Sequence, residues 1–67
     1  MLYIVFDVNH EVVIETYNMN EALANWNPRL GHTVRTYTIE EQEKIGRAGY
    51  NCSDFADKKA LQNLIEA

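Results

Sequence analysis

The sequence predicts an α+β fold: a three-stranded antiparallel sheet in strand order 2-1-3, built from the chain order β-β-α-β-α-α. Three observations predict it. Two short runs rich in Val, Ile, Phe and Tyr flank a polar break near the N-terminus. Two segments, Asn18-Met19-Asn20-Glu21 and Thr38-Ile39-Glu40-Glu41, carry an N-cap residue followed three places on by Glu. The last third repeats apolar residues at helical spacing.

Leu2 to Val8 and Val12 to Tyr17 read as a β-hairpin around Asn9-His10. Loop length then decides what each face carries. A two-residue loop sets Ile4 opposite Glu15, whereas a three-residue loop gathers Leu2, Ile4, Phe6, Val8, Val12 and Ile14 on one face, so the odd loop is preferred. Asp7 suits the first position of a type I turn, and Asn or His tolerates the left-handed residue that closes such a loop. Asn18 then caps a helix whose Met19, Ala22, Leu23 and Trp26 make one apolar stripe, and Pro28 ends it. Gly31 marks a turn, and Thr33 to Thr38 alternates as a third strand. Thr38 caps a second helix to about Ala48, stopped by Gly49. Ser53 caps a last one to about Ile65, with Ala56, Ala60, Leu61, Leu64 and Ile65 as its stripe.

The chain has 67 residues, 7.8 kDa, 46% apolar and 24% charged residues and a net charge of −4, which is enough for one small domain spanning 1–67. Stability is expected to be thin, because a domain this size hides only about 60% of its chain surface. Neither a disulfide nor an ordinary zinc site is expected from one cysteine, Cys52, and two histidines, His10 and His32. The N-terminus lacks the basic region and length of a signal peptide, no apolar run is long enough for a membrane span, and a lone thiol fits a reducing compartment. A cytoplasmic protein with no cofactor and no membrane partner is the expectation. Ten acids against six bases weigh against a protein built mainly to hold phosphate, so nucleic acid is an unfavoured partner.

Enzyme chemistry finds little to work with. A nucleophile needs a neighbouring base, and only Cys52 or Ser53 with His10 or His32 could provide the pair. Asp7 to Glu11 starts like a calcium loop but has Val12 where glycine is needed, and the three glycines lack phosphate-loop spacing. No catalytic or metal-binding residue is expected. Lys44 to Phe55 resembles the turn of a helix-turn-helix, with Gly49 at the turn and Lys44, Arg47, Lys58 and Lys59 available to phosphates. Lys58 stands where that motif takes an apolar residue.

The richest surface is the second face of the hairpin, with Tyr3, Val5, Asp7, Glu11, Val13, Glu15 and Tyr17, joined by Arg35 and Tyr37 of the third strand. It is aromatic at its centre and acidic at the hairpin tip. Rigid tyrosines anchor interfaces and carboxylates steer towards basic partners. That reading sets the apolar stripe of the first helix against Leu2, Ile4, Phe6, Val12 and Ile14, and requires the second face to be open. The alternative is that the C-terminal helices cover it and its Val and Tyr residues are core.

Glu11 through Thr38 resembles the strand-helix-strand heart of the small RNA polymerase inhibitors of T7-like phages and of other short phage host-takeover proteins. The matching residues are the strand Val12 to Tyr17, the segment Asn20-Glu21-Ala22-Leu23-Ala24 with Trp26, and Gly31 leading to Val34. The closely spaced arginines of that family's third strand are reduced here to Arg35, and the two terminal helices have no counterpart. The resemblance implies a non-catalytic inhibitor that blocks a host bacterial protein, such as a polymerase or a defence nuclease, by occupying it. A nucleic-acid regulator acting through the helix pair and a homodimeric assembly or regulatory subunit remain the alternatives.

Overall fold

The computed structural model describes residues 1–66, and its elements follow the predicted order. Strands β1 (Leu2–Phe6), β2 (Val12–Thr16) and β3 (Thr33–Tyr37) form one antiparallel sheet in the order β2-β1-β3. Helix α1 (Met19–Asn25) lies between β2 and β3 in the chain, and α2 (Ile39–Arg47) and α3 (Lys58–Glu66) follow. Short 3-10 turns occupy Pro28–Leu30 and Cys52–Asp54. No helix among the described residues is long and apolar enough to cross a membrane.

The hairpin closes through the three-residue loop Val8-Asn9-His10. Asp7 N–H donates to the Glu11 carbonyl at 2.8 Å, His10 N–H donates to the Asp7 carbonyl at 3.0 Å, and His10 takes the left-handed conformation at φ 66°. Asp7 Oδ1 accepts from the N–H groups of Asn9 (2.8 Å) and Glu11 (3.0 Å), which ties the turn from inside. Gly31, at φ 78°, lies so close to the hairpin tip that a Cβ there would stand 3.1 Å from the Cβ of Val8.

One residue changes the expected register. Val12 pairs with Phe6 but Ile14 pairs with Val5, so Val13 is the extra residue of a β-bulge. Glu15 therefore lies opposite Ile4, and Ile14 shares the face of Val5 rather than that of Ile4.

The helices also occupy the faces opposite to those expected. Leu2, Ile4, Phe6 and Tyr37 form one core cluster with Ile45, Cys52, Phe55 and Leu61, so α2, the 3-10 turn and α3 cover the even-numbered face of β1. Helix α1 instead packs on β1 and β2 from the other side, where Val5 and Ala22 are fully buried. Chirality accounts for the assignment. Strands β2 and β3 both run antiparallel to β1, hence parallel to each other, and α1 is the crossover between them. The Asp7–Glu11 bond turns the odd-numbered backbone groups of β1 towards β2, and with that handedness a right-handed crossover passes over Val5.

The C-terminal helices do not form a helix-turn-helix. Residues 48–57 separate α2 from α3, Ser53 sits within a 3-10 turn, and the cap of α3 is Asp57, whose Oδ1 accepts from Lys59 N–H at 2.9 Å. Phe55 belongs to this connection and is buried in the core instead of in a second helix. Cys52 and Phe55 of this connection both belong to the cluster on the sheet.

Candidate functional site

The nine residues expected to share one open face are divided between the two faces and the hairpin tip. Val5 is fully buried beneath α1, with Tyr3 half-buried on the same side. Glu15 and Arg35 both lie opposite Ile4, on the side of the C-terminal helices. Tyr17 follows the end of β2 on that side too, exposed, its hydroxyl donating to Gln42 Oε1 at 3.3 Å. Tyr37 is fully buried and donates to the Phe55 carbonyl at 2.6 Å, so it is a core residue and no anchor. Asp7 is committed to the turn, while Glu11 and Val13 remain exposed at the hairpin end of β2. The bulge and the crossover together dissolve the expected constellation.

The nominated basic residues are likewise apart. Lys44 and Arg47 lie in the last turn of α2, where Arg47 pairs with Glu43 at 3.7 Å on an exposed surface. Lys58 and Lys59 open α3, with the ten residues 48–57 between them and the end of α2. Glu40, Glu41 and Glu43 lie on the same helix as Lys44 and Arg47, so α2 presents mixed charge.

Neither histidine meets the thiol or the serine. His32 Nδ1 accepts from Asn27 N–H at 3.2 Å, and His10 closes the hairpin loop. Cys52 is a free, buried core residue, and burial raises its thiol pKa, which keeps it protonated and unreactive.

The surface that sequence reasoning assigned to the interior is the one left open. Helix α1 starts at Asn18, whose Oδ1 accepts from Asn20 N–H (2.9 Å) and Glu21 N–H (3.3 Å). Its apolar stripe turns only Ala22 fully into the sheet. Met19, Leu23 and Trp26 stay 53%, 48% and 40% exposed, and Leu30, just beyond, stays 60% exposed. The indole N–H of Trp26 donates to the His32 carbonyl at 3.0 Å, which holds the ring beside the entry to β3. On the same side of the sheet, Tyr3 and Val34 are half-buried and Thr36 is exposed. A periodic stripe at 19, 22, 23 and 26 signals an amphipathic helix; that the helix is too short and too far over β2 to bury it is not written in the stripe.

Compared with protein-family models, curated proteins and solved structures, the chain matches none of them.

Proposed function

We propose that this chain is a non-catalytic binding module that docks its α1 face on another protein and acts by occupying the surface it covers. The observation that carries this reading is the apolar stripe of α1, whose Met19, Leu23 and Trp26 are each 40% or more exposed, followed in the chain by Leu30 at 60%. A small domain gains stability by burying such side chains, so leaving four of them half in water is costly unless something else covers them. Trp26 is the natural anchor, because its ring is already fixed by the His32 carbonyl and loses little freedom on docking.

Charge indicates the kind of partner. Residues 1–31 hold Asp7, Glu11, Glu15 and Glu21 against Arg29 alone, and Glu21 on α1 and Glu11 at the hairpin end of β2 are both exposed. An acidic rim around an apolar patch favours encounter with a basic protein. A host enzyme that handles nucleic acid, with a phosphate-binding surface lined by Lys and Arg, has that character. This extends the resemblance to phage inhibitors from a pattern of residues to a surface that could do the blocking.

The test is capture from bacterial lysate with the wild-type chain, a Leu23→Ser, Trp26→Ala variant and a Lys44→Ala, Arg47→Ala variant. Half-exposed positions should tolerate substitution, so all three should fold, with circular dichroism as the check. The expected result is a partner retained by wild type and by the α2 variant and lost with the α1 variant. Recovery of the same proteins by all three would refute the α1 face. Retention of DNA at about 50 mM salt, abolished only in the α2 variant, would favour the nucleic-acid reading instead.

A further inference from the structure

A second surface, on the opposite edge of the sheet, has different chemistry. Because the even-numbered backbone groups of β1 face β3, Thr33, Arg35 and Tyr37 turn theirs back to β1, and the N–H and C=O groups of Val34 and Thr36 point outward from the sheet. Strand β3 is an edge strand with neither a bulge nor a proline to blunt it. A cavity of about 250 Å³ lies against this edge, bounded by Val34, Arg35 and Thr36 and, across from them, by Lys58, Leu61 and Ile65 of α3. The side chains of Val34 and Thr36 belong to the far face of the sheet, so at the cavity they offer the strand edge itself.

Arg35 supplies the specificity. Its Nε is buried without a hydrogen-bond partner, and Lys58, at the mouth of the same cavity, has no ion pair among the described residues. Glu41 also borders the cavity, but its Oε1 accepts from Thr38 N–H at 3.2 Å as part of the α2 cap. A buried guanidinium N–H with nothing to bond is costly, and an anionic acceptor would satisfy it.

We infer that the free edge of β3 receives an extended acidic peptide segment from another protein, added as a fourth strand with a carboxylate side chain opposite Arg35. Backbone groups of Val34 and Thr36 would pair with the segment, and the carboxylate would enter the cavity between Arg35 and Lys58. A second copy of the chain fits less well. The antiparallel self-pairing that joins the most residues of Thr33–Tyr37 is centred on Arg35 and sets two guanidinium groups face to face.

The probe is the capped peptide Thr-Val-Asp-Val-Thr, titrated into labelled protein with amide shifts as the readout, beside the same peptide with Asn or Lys at its centre. Saturable shifts are expected at the Val34 and Thr36 amides, with the Asp peptide roughly two- to fivefold tighter than the Asn peptide, as for a cross-strand ion pair, and the Lys peptide weakest. Arg35→Gln should abolish the Asp preference, and Lys58→Gln, on the exposed end of α3, should reduce it without touching the sheet. Absence of saturable shifts at these amides up to millimolar peptide, or equal binding of the Asp and Lys peptides, would overturn the proposal. So would sedimentation as a dimer whose β3 amides are protected in the free protein.

Discussion

Tyr37 is the largest fully buried side chain among the described residues. It is fully buried among Leu2, Ile4, Ile45 and Leu61, and its hydroxyl bonds the Phe55 carbonyl at 2.6 Å, fastening the irregular segment before α3 to the sheet. Tyr37→Phe leaves that carbonyl without its donor in the core, at a cost of about 1–3 kcal/mol, measurable by urea denaturation. The same hydroxyl sets a pH dependence. Its pKa is pushed from 10.0 up to about 12, mainly by burial, then by Cys52 and the carboxylates of Glu41 and Glu15, with Arg35 opposing. At pH values under 10.0 the folded and unfolded chains both hold the neutral phenol; as pH climbs from there through about 12, the unfolded chain ionises first and stability drains away. In Tyr37→Phe that alkaline loss should shrink relative to wild type. An unchanged alkaline slope would mean that the exposed tyrosines, or general deprotonation, dominate.

Among the elements, α2 has the most complete local code. Thr38 Oγ1 accepts from Glu41 N–H and Glu41 Oε1 accepts from Thr38 N–H, both at 3.2 Å, while Lys44 and Arg47 sit near the negative end of the helix. At Asn18 only half of that arrangement forms, because Asn18 N–H donates to Thr16 Oγ1 at 3.0 Å instead of to Glu21. Thr38→Ala removes one bond and frees Glu41, so it should cost about 1 kcal/mol in thermal or urea unfolding. Glu21→Ala should cost markedly less, and equal losses would show that the two caps are energetically alike. These two helices also mark what the sequence made legible. The caps at Asn18 and Thr38, the Asp7 turn, the strand order and the even-numbered apolar face of β1 follow from general rules and are present, whereas Ser53 gives way to Asp57 as the cap of α3. The bulge at Val13 does not follow from such rules, because a Val-Val pair reads as regular strand whichever residue is left unpaired. The face chosen by α1 could have been read: crossover handedness applied to β2 and β3, which are parallel, places the helix over Val5 once the Asp7 turn has set which backbone groups of β1 face β2.

Across the whole molecule, the sheet divides two unequal layers. One side buries Leu2, Ile4, Phe6 and Tyr37 under α2, the Cys52 turn and α3; the other buries little beyond Val5 and Ala22. Opening the second layer therefore exposes far less apolar surface than opening the first, and its local free energy of opening must be much smaller than that of global unfolding. Native-state hydrogen exchange should report this directly. Amides within α1 should exchange through an opening that barely responds to low urea, whereas those of Ile4 and Ile45 should exchange only with the full denaturant dependence of global unfolding. Protection of α1 equal to that of Ile45 would mean that the half-exposed stripe is held by the chain itself. The difference bears on function, because an element this weakly fastened has Met19, Leu23 and Trp26 already in water, and a partner that covered them would fasten it. Slowed exchange across α1 in a complex, with β3 unchanged, would then separate docking at the α1 face from strand addition at the far edge of the sheet.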